Sequence, residues 1–184
     1  MAAPSGGGKS TMVKRLLSDF SEIKFSVSAT TRAPRKGETD GVDYHFLSRK
    51  EFQERIRNDD FLEWEEFYNG TMYGTLKADV ESELNKGYFV MLDIDVLGAV
   101  NVKSMYGKEA LSIFISPPTF DVLEERLRNR GTESENSLDE RLKRAKKEIE
   151  FADRFDLNVI NDDIESTYHK IKSAAQTFLT YSKQ

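Results

Sequence analysis

Gly8, Lys9 and Ser10 set a backbone hinge, a cation and a hydroxyl side by side, within the run Ser5-Gly6-Gly7-Gly8-Lys9-Ser10-Thr11. They match the end of the phosphate-loop template G-x-x-x-x-G-K-[ST], with Ala3 where the template has its first glycine. Successive N–H groups in such a loop can cradle phosphate oxygens, helped by the positive end of the helix that follows. Lys9 would neutralise a transferring phosphate, and Ser10 would offer its hydroxyl to Mg2+. A flexible glycine loop is the plainer alternative.

Four further clusters carry chemistry. In SATTRAPRKGETDGVDYHF, Arg32 and Arg35 lie three apart directly after a strand pattern. Paired guanidinium groups with a phenol suit a phosphate monoester, and Tyr44 and Tyr73 are the candidate phenols. Solvated arginines and core tyrosines are the alternatives. In FLEWEEFYNGTMYGT, Glu63 sits between Leu62 and Trp64, where a carboxylate needs donors to satisfy it. The N1–H and 2-amino edge of guanine is one such partner, a structural salt bridge another, and Thr75 could reach the guanine O6. Asp93 and Asp95 close the strand pattern VMLDID, at the strand end where α/β proteins bind ligands. There they could orient Mg2+ waters, hold substrate-binding groups or cap a helix. Arg126, Arg130 and Arg141 flank a Gly-Thr-Glu-Ser turn, which reads as mixed-charge helix surface or as a mobile lid delivering arginines to a triphosphate.

These residues need elements to hold them. Helical spacing runs from Thr11 to Asp19, and Phe25 to Ala29 alternates as a short strand. Arg32 to Asp43 has loop composition. Ser48 with Glu51 predicts a capping box, Asn69-Gly70 a hairpin, and Leu76 to Lys86 a helix stopped by Gly87. YFVMLDID, Ala110 to Ser116 and Leu157 to Ile160 read as strands. Helices are expected up to about Arg128, from Ser137 to Phe151, and at the C-terminus. Apolar strands alternating with helices predict an α/β sandwich on a mostly parallel sheet. The segment at about 32–78 breaks the rhythm as a β-rich insertion.

With 184 residues, a net charge of −5 and a pI near 5.2, the composition suits a globular chain and argues against a broad nucleic-acid or anionic-membrane surface. It contains no cysteine, so disulfides and thiolate chemistry are excluded. No apolar run approaches membrane-helix length, and a cytoplasmic location is the expectation.

Taken in order, APSGGGKST, SVSATTRAPRKGETDGVDYHF, FLEWEEFYNGTMYGT, LDID, RGTESE with RLKRA, and VINDD make the sequence resemble guanylate kinase, a P-loop nucleoside monophosphate kinase family. The resemblance implies a three-layer P-loop core, residues 1–31 and 76–184, with a lid at about 126–141 and a GMP-binding insertion at 32–75. It implies Mg2+-dependent transfer of the ATP γ-phosphate to GMP, or dGMP. ATP binding would fall to Ser5, Gly6, Gly7, Gly8, Lys9, Ser10, Thr11, Arg126, Arg130 and Asn161, the last near the adenine. GMP would meet Ser28, Arg32, Arg35, Tyr44, Glu63, Tyr73, Thr75 and Asp95. Lys9, Arg32, Arg35, Arg130 and Arg141 would be catalytic, and Ser10 would hold the metal with Asp93 acting through water. The implied partners are the two nucleotides, with a homo-oligomer left open. A non-catalytic scaffold of the same fold is disfavoured by the retained Lys9 and arginines, and a kinase for AMP or a sugar bisphosphate by Glu63, Tyr73 and Thr75. Family members carry an apolar strand before the loop, where this sequence has Met1 and Ala2. The expectation is therefore a late start, with the loop's N-terminal side untethered.

Overall fold

Helices and strands are interleaved along the chain, with the strands bunched where the sequence reads as a β-rich insertion. The structure, a computed structural model, describes residues 1–67, 70–129 and 135–182, with residues 135–137 by backbone alone. In chain order the elements are α1 (Lys9–Asp19), β1 (Ile23–Phe25), β2 (Ala29–Thr30), β3 (His45–Phe46), α2 (Arg49–Arg57), β4 (Phe61–Glu66) and β5 (Met72–Leu76). There follow α3 (Lys77–Asn85), β6 (Phe89–Met91), α4 (Val96–Tyr106), β7 (Ile113–Ser116), α5 (Phe120–Asn129), α6 (Glu135–Ile149), β8 (Leu157–Ile160) and α7 (Ile164–Tyr181). They divide into two compact units: Met1–Asp19 with Asp95–Gln184, and Phe20–Ile94.

The first unit is organised by β7, whose four residues are all buried. On one side β7 pairs in parallel with β8, from Ile113↔Leu157 to Ser116↔Ile160. On the other side Ala2 forms a parallel bridge to Phe114. The Ala2 N–H donates to the Ile113 carbonyl at 2.9 Å, and the Ile115 N–H donates to the Ala2 carbonyl at 3.0 Å. Met1 and Ala2 are buried, so the loop's N-terminal side is tethered, contrary to the expectation. Two backbone hydrogen bonds suffice because a parallel bridge fixes both polar groups of one residue. Helix α1 is braced against α7: the Tyr168 hydroxyl and Lys172 Nζ donate to Asp19 Oδ2 at 2.6 and 2.7 Å, and Arg15 pairs with Glu165. Leu123, Leu127, Leu138 and Ala145 form the core between α5 and α6.

The second unit contains a four-stranded sheet in the order β3-β2-β5-β4 and a parallel pair, β1 with β6. Strands β4 and β5 are antiparallel, as the hairpin signal predicts; Asn69 itself lies outside the described residues. Below this sheet Ala29, Phe52, Phe61, Met72 and Leu76 form a core, with the Phe52 and Phe61 rings stacked at 4.3 Å. Phe52 is delivered by α2, whose capping box is complete: Ser48 Oγ accepts from the Glu51 N–H and Glu51 Oε2 accepts from the Ser48 N–H.

Two local readings change. Phe25 to Ala29 is not one strand, because the chain leaves β6 after Phe25 and joins β3 and β5 at Ala29. Helix α4 is absent from the sequence reading. Its Val96, Val100 and Val102 are weak helix formers and Gly98 weaker still. Burial of Val96, Ala99 and Val102, with Asp95 as cap, overrides that propensity. Among the described residues no helix is long and apolar enough to cross a membrane.

Candidate phosphate and nucleotide sites

In the first unit the loop leaves Ala2 beside β7 and runs into α1, at the C-terminal ends of parallel strands. Gly6 and Gly8 have φ of +87° and +93°. At Gly8 only glycine fits on two counts: the dihedral is left-handed, and a Cβ would collide with the Asn161 side-chain amide. Gly7 is closed in by Ala3, Pro4 and the Ile115 carbonyl, and its N–H donates to the Pro4 carbonyl at 2.8 Å. Ala3 thus packs against the loop from the template's first-glycine position. Lys9 and Ser10 open the first turn of α1, Lys9 half-buried and Ser10 exposed like Thr11 and Ser5.

Asn161, one residue past β8, is buried. Its N–H donates to the Ser116 carbonyl and its side-chain Nδ2 to the Gly7 carbonyl, both at 2.8 Å. Arg126 Nη2 donates to the Asn161 carbonyl at 3.0 Å. The structure thus places Asn161 and Arg126 as a latch on the loop. Arg141 lies half-buried on α6, and Arg130 lies outside the described residues. Asp95 caps α4, with Oδ1 accepting from the N–H groups of Leu97 and Gly98 at 2.7 and 3.0 Å.

In the second unit, side chains rather than backbone build the site. Arg32 lies with Cζ 4.7 Å from the Tyr44 ring centre and 5.5 Å from that of Phe46. The Tyr44 ring stands 6.0 Å from Tyr73, edge-on, and Tyr73 is 5.3 Å from Phe67. Tyr44 thus meets the guanidinium through its ring, and Tyr73 packs against Tyr44. Burial, with Tyr73 nearby, pushes the Tyr44 phenol up, so it stays a neutral donor. Strand pairing sets Glu63 opposite Thr75, both buried, and Thr75 Oγ1 donates to Glu63 Oε1 at 2.6 Å. Gly74 makes this approach possible, since a Cβ there would strike Phe61 and the Glu63 carbonyl. Arg35 is exposed on its turn, Ser28 is half-buried with its carbonyl accepting from the His45 N–H, and Asp93 is half-buried after β6.

A two-part arrangement of this kind, a glycine loop on a helix and an arginine–tyrosine cluster beside a buried carboxylate, has relatives. The family model described as guanylate kinase matches residues 1–177. The guanylate kinase of Salinibacter ruber is 48% identical over 180 residues, 98% of this chain and 95% of that protein. That of Chlorobium luteolum is 48% identical over 97% of this chain and 90% of its own. The chain belongs to the guanylate kinase family. A crystal structure of guanylate kinase from Anaplasma phagocytophilum superimposes with a TM-score of 0.74 at 35% identity, over 96% of this chain and 82% of that one. The parallel pairs and flanking helices are those of the family's P-loop α/β fold.

Family membership does not disclose every residue that shapes these sites. Glu38 bonds Arg32 through both carboxylate oxygens, yet six loop residues of separation carry no periodicity that could signal it. Asn161 was legible as a site residue only through the VINDD resemblance; its bond to the Gly7 carbonyl is a product of the fold.

Proposed function

We infer that this chain transfers the γ-phosphoryl group of ATP to GMP, forming ADP and GDP. The observation that carries the choice of acceptor is the buried Glu63–Thr75 pair. A carboxylate there matches the two donors of the guanine Watson–Crick edge, N1–H and the 2-amino group. Adenine offers a bare N1 at that position, which would leave Glu63 buried against an acceptor. Arg32, Tyr44 and Tyr73 supply the charged and neutral donors for the GMP phosphate, and Arg35 and Ser28 complete its reach.

On the ATP side, the N–H groups of the glycine loop and the start of α1 bind the phosphates, and Lys9 neutralises charge as the γ-phosphoryl group moves. Arg126, Arg130 and Arg141 are assigned to the triphosphate, with Arg126 and Asn161 also holding the loop in register. Among the described residues no cluster of three or more His, Asp or Glu could hold a metal on its own. Mg2+ keeps its waters and takes phosphate oxygens with one or two protein ligands, which suits a single hydroxyl in the first turn of α1. Ser10 is the hydroxyl we assign to it, and the ion would supply further neutralisation of phosphate charge. Asp93 is assigned to its waters, and Asp95, beyond its cap, to the GMP side.

No protein base is needed. The second pKa of a phosphate monoester is about 6, so GMP is largely dianionic at neutral pH and its oxygen attacks directly. Positioning and charge neutralisation then provide the catalysis. Coupled measurement of ADP formation with GMP, AMP, CMP and UMP in parallel tests this reading. GMP-dependent turnover is expected, and ADP formation indifferent to the added monophosphate would overturn it.

A further inference from the structure

We propose that Glu38 is a positioning residue for the acceptor phosphate, fixing Arg32 and the Arg35 turn as one preformed anion receptor. This rests on the GMP reading above. Arg32 Nη1 donates to Glu38 Oε2 at 2.6 Å and Nη2 to Oε1 at 2.7 Å, an end-on bidentate pair. Nη1 also donates to the Ala33 carbonyl at 3.0 Å. Of the five guanidinium N–H donors, these three bonds leave Nε–H and one Nη2–H. They form the side-on edge of the group, which is itself a bidentate match to phosphate.

Glu38 reaches the second arginine as well. Its Oε2 accepts the Arg35 N–H at 2.7 Å, while the Glu38 N–H donates to the Arg35 carbonyl at 3.1 Å. One carboxylate therefore sets both the rotation of the Arg32 guanidinium and the turn from which Arg35 projects. Tyr44 and Phe46 flank the guanidinium as flat faces, so Glu38 fixes the rotation that stacking alone leaves free. The Arg32 and Glu38 side chains are 14% and 19% exposed, which limits exchange of this pair with water. The opposite role, a carboxylate that occupies Arg32 and must be displaced by phosphate, predicts effects of opposite sign.

Steady-state kinetics and calorimetric GMP binding on the full chain, comparing wild type with Glu38→Gln and Glu38→Ala, separate these roles. Positioning predicts a KM and Kd for GMP raised about tenfold in Glu38→Ala, the scale of a lost charge-assisted pair. Glu38→Gln keeps one acceptor and should recover part of that loss, with KM for ATP unchanged in both variants. A KM for GMP that stays the same or falls in Glu38→Ala overturns the proposal, as does an equal rise in the KM of both nucleotides. Thermal melts of each variant distinguish a local loss from an unfolded chain. If wild type itself shows no GMP-dependent turnover, the functional reading fails rather than this inference.

Discussion

In the function proposed above, each of the two units holds a phosphate, and each does so with different materials. The first uses backbone: Gly6 and Gly8 at positive φ and the first turn of α1, pinned from behind by Asn161. The second uses side chains: Arg32 with Tyr44 and Tyr73, set by Glu38 and carried on short strands. A backbone receptor depends on its dihedral angles and on room around the chain, as at Gly8, where even a Cβ does not fit. A side-chain receptor tolerates backbone adjustment but depends on each functional group.

The largest expected effect comes from removing the cation that the proposal sets at the loop of the first unit. Lys9→Ala should lower kcat by on the order of 10²–10³-fold, the scale of losing one electrostatic stabiliser, while the melting curve stays close to wild type. Next, Gly8→Ala sets a Cβ against Asn161 at a left-handed dihedral. It should cost about 1–3 kcal/mol in urea unfolding and raise KM for ATP, although only one methyl group is added. In the second unit, Glu63→Ala should reduce the preference for GMP over AMP by about 1–3 kcal/mol, read as the ratio of kcat/KM values. An unchanged ratio would remove Glu63 from base reading.

The smallest effect is on pH. Arg32, with the Arg35 N–H, holds the Glu38 carboxyl at about 2. Lys172 and Tyr168 hold that of Asp19 below its ordinary value, and Arg15 that of Glu165. Folded-state values lie below unfolded ones, so these groups contribute stability that is complete above the unfolded range of about 4–4.5 and lost as pH falls toward 2. Urea midpoints should be flat from pH 7 to 5 and decline below about 4.5. In Glu38→Gln the lowest part of that decline should be shallower.

Much of this was legible because some sequence signals are local. Ser48 and Glu51 specify a capping box by spacing alone, and it forms as read. Ser5 to Thr11 specify a loop opening a helix for the same reason. Where local propensity conflicted with packing, the reading failed. Helix α4 is built from valines and a glycine that burial and the Asp95 cap hold helical, and Phe25 to Ala29 changes strand partners in mid-run. For Asp95 the helix-capping alternative is the one the structure shows, since its carboxylate closes the first turn of α4.

The sequence by itself determined residue chemistry: a lysine and hydroxyl after glycines, arginines before tyrosines, and a carboxylate among apolar neighbours. Tertiary structure decided which groups meet. Asn161 reaches the Gly7 carbonyl across 154 positions, Thr75 finds Glu63 through strand register, and Ala2 is anchored by β7. Composition and short spacing are properties of the chain and can be read along it. Contacts between distant residues depend on packing and register, and no local pattern encodes them.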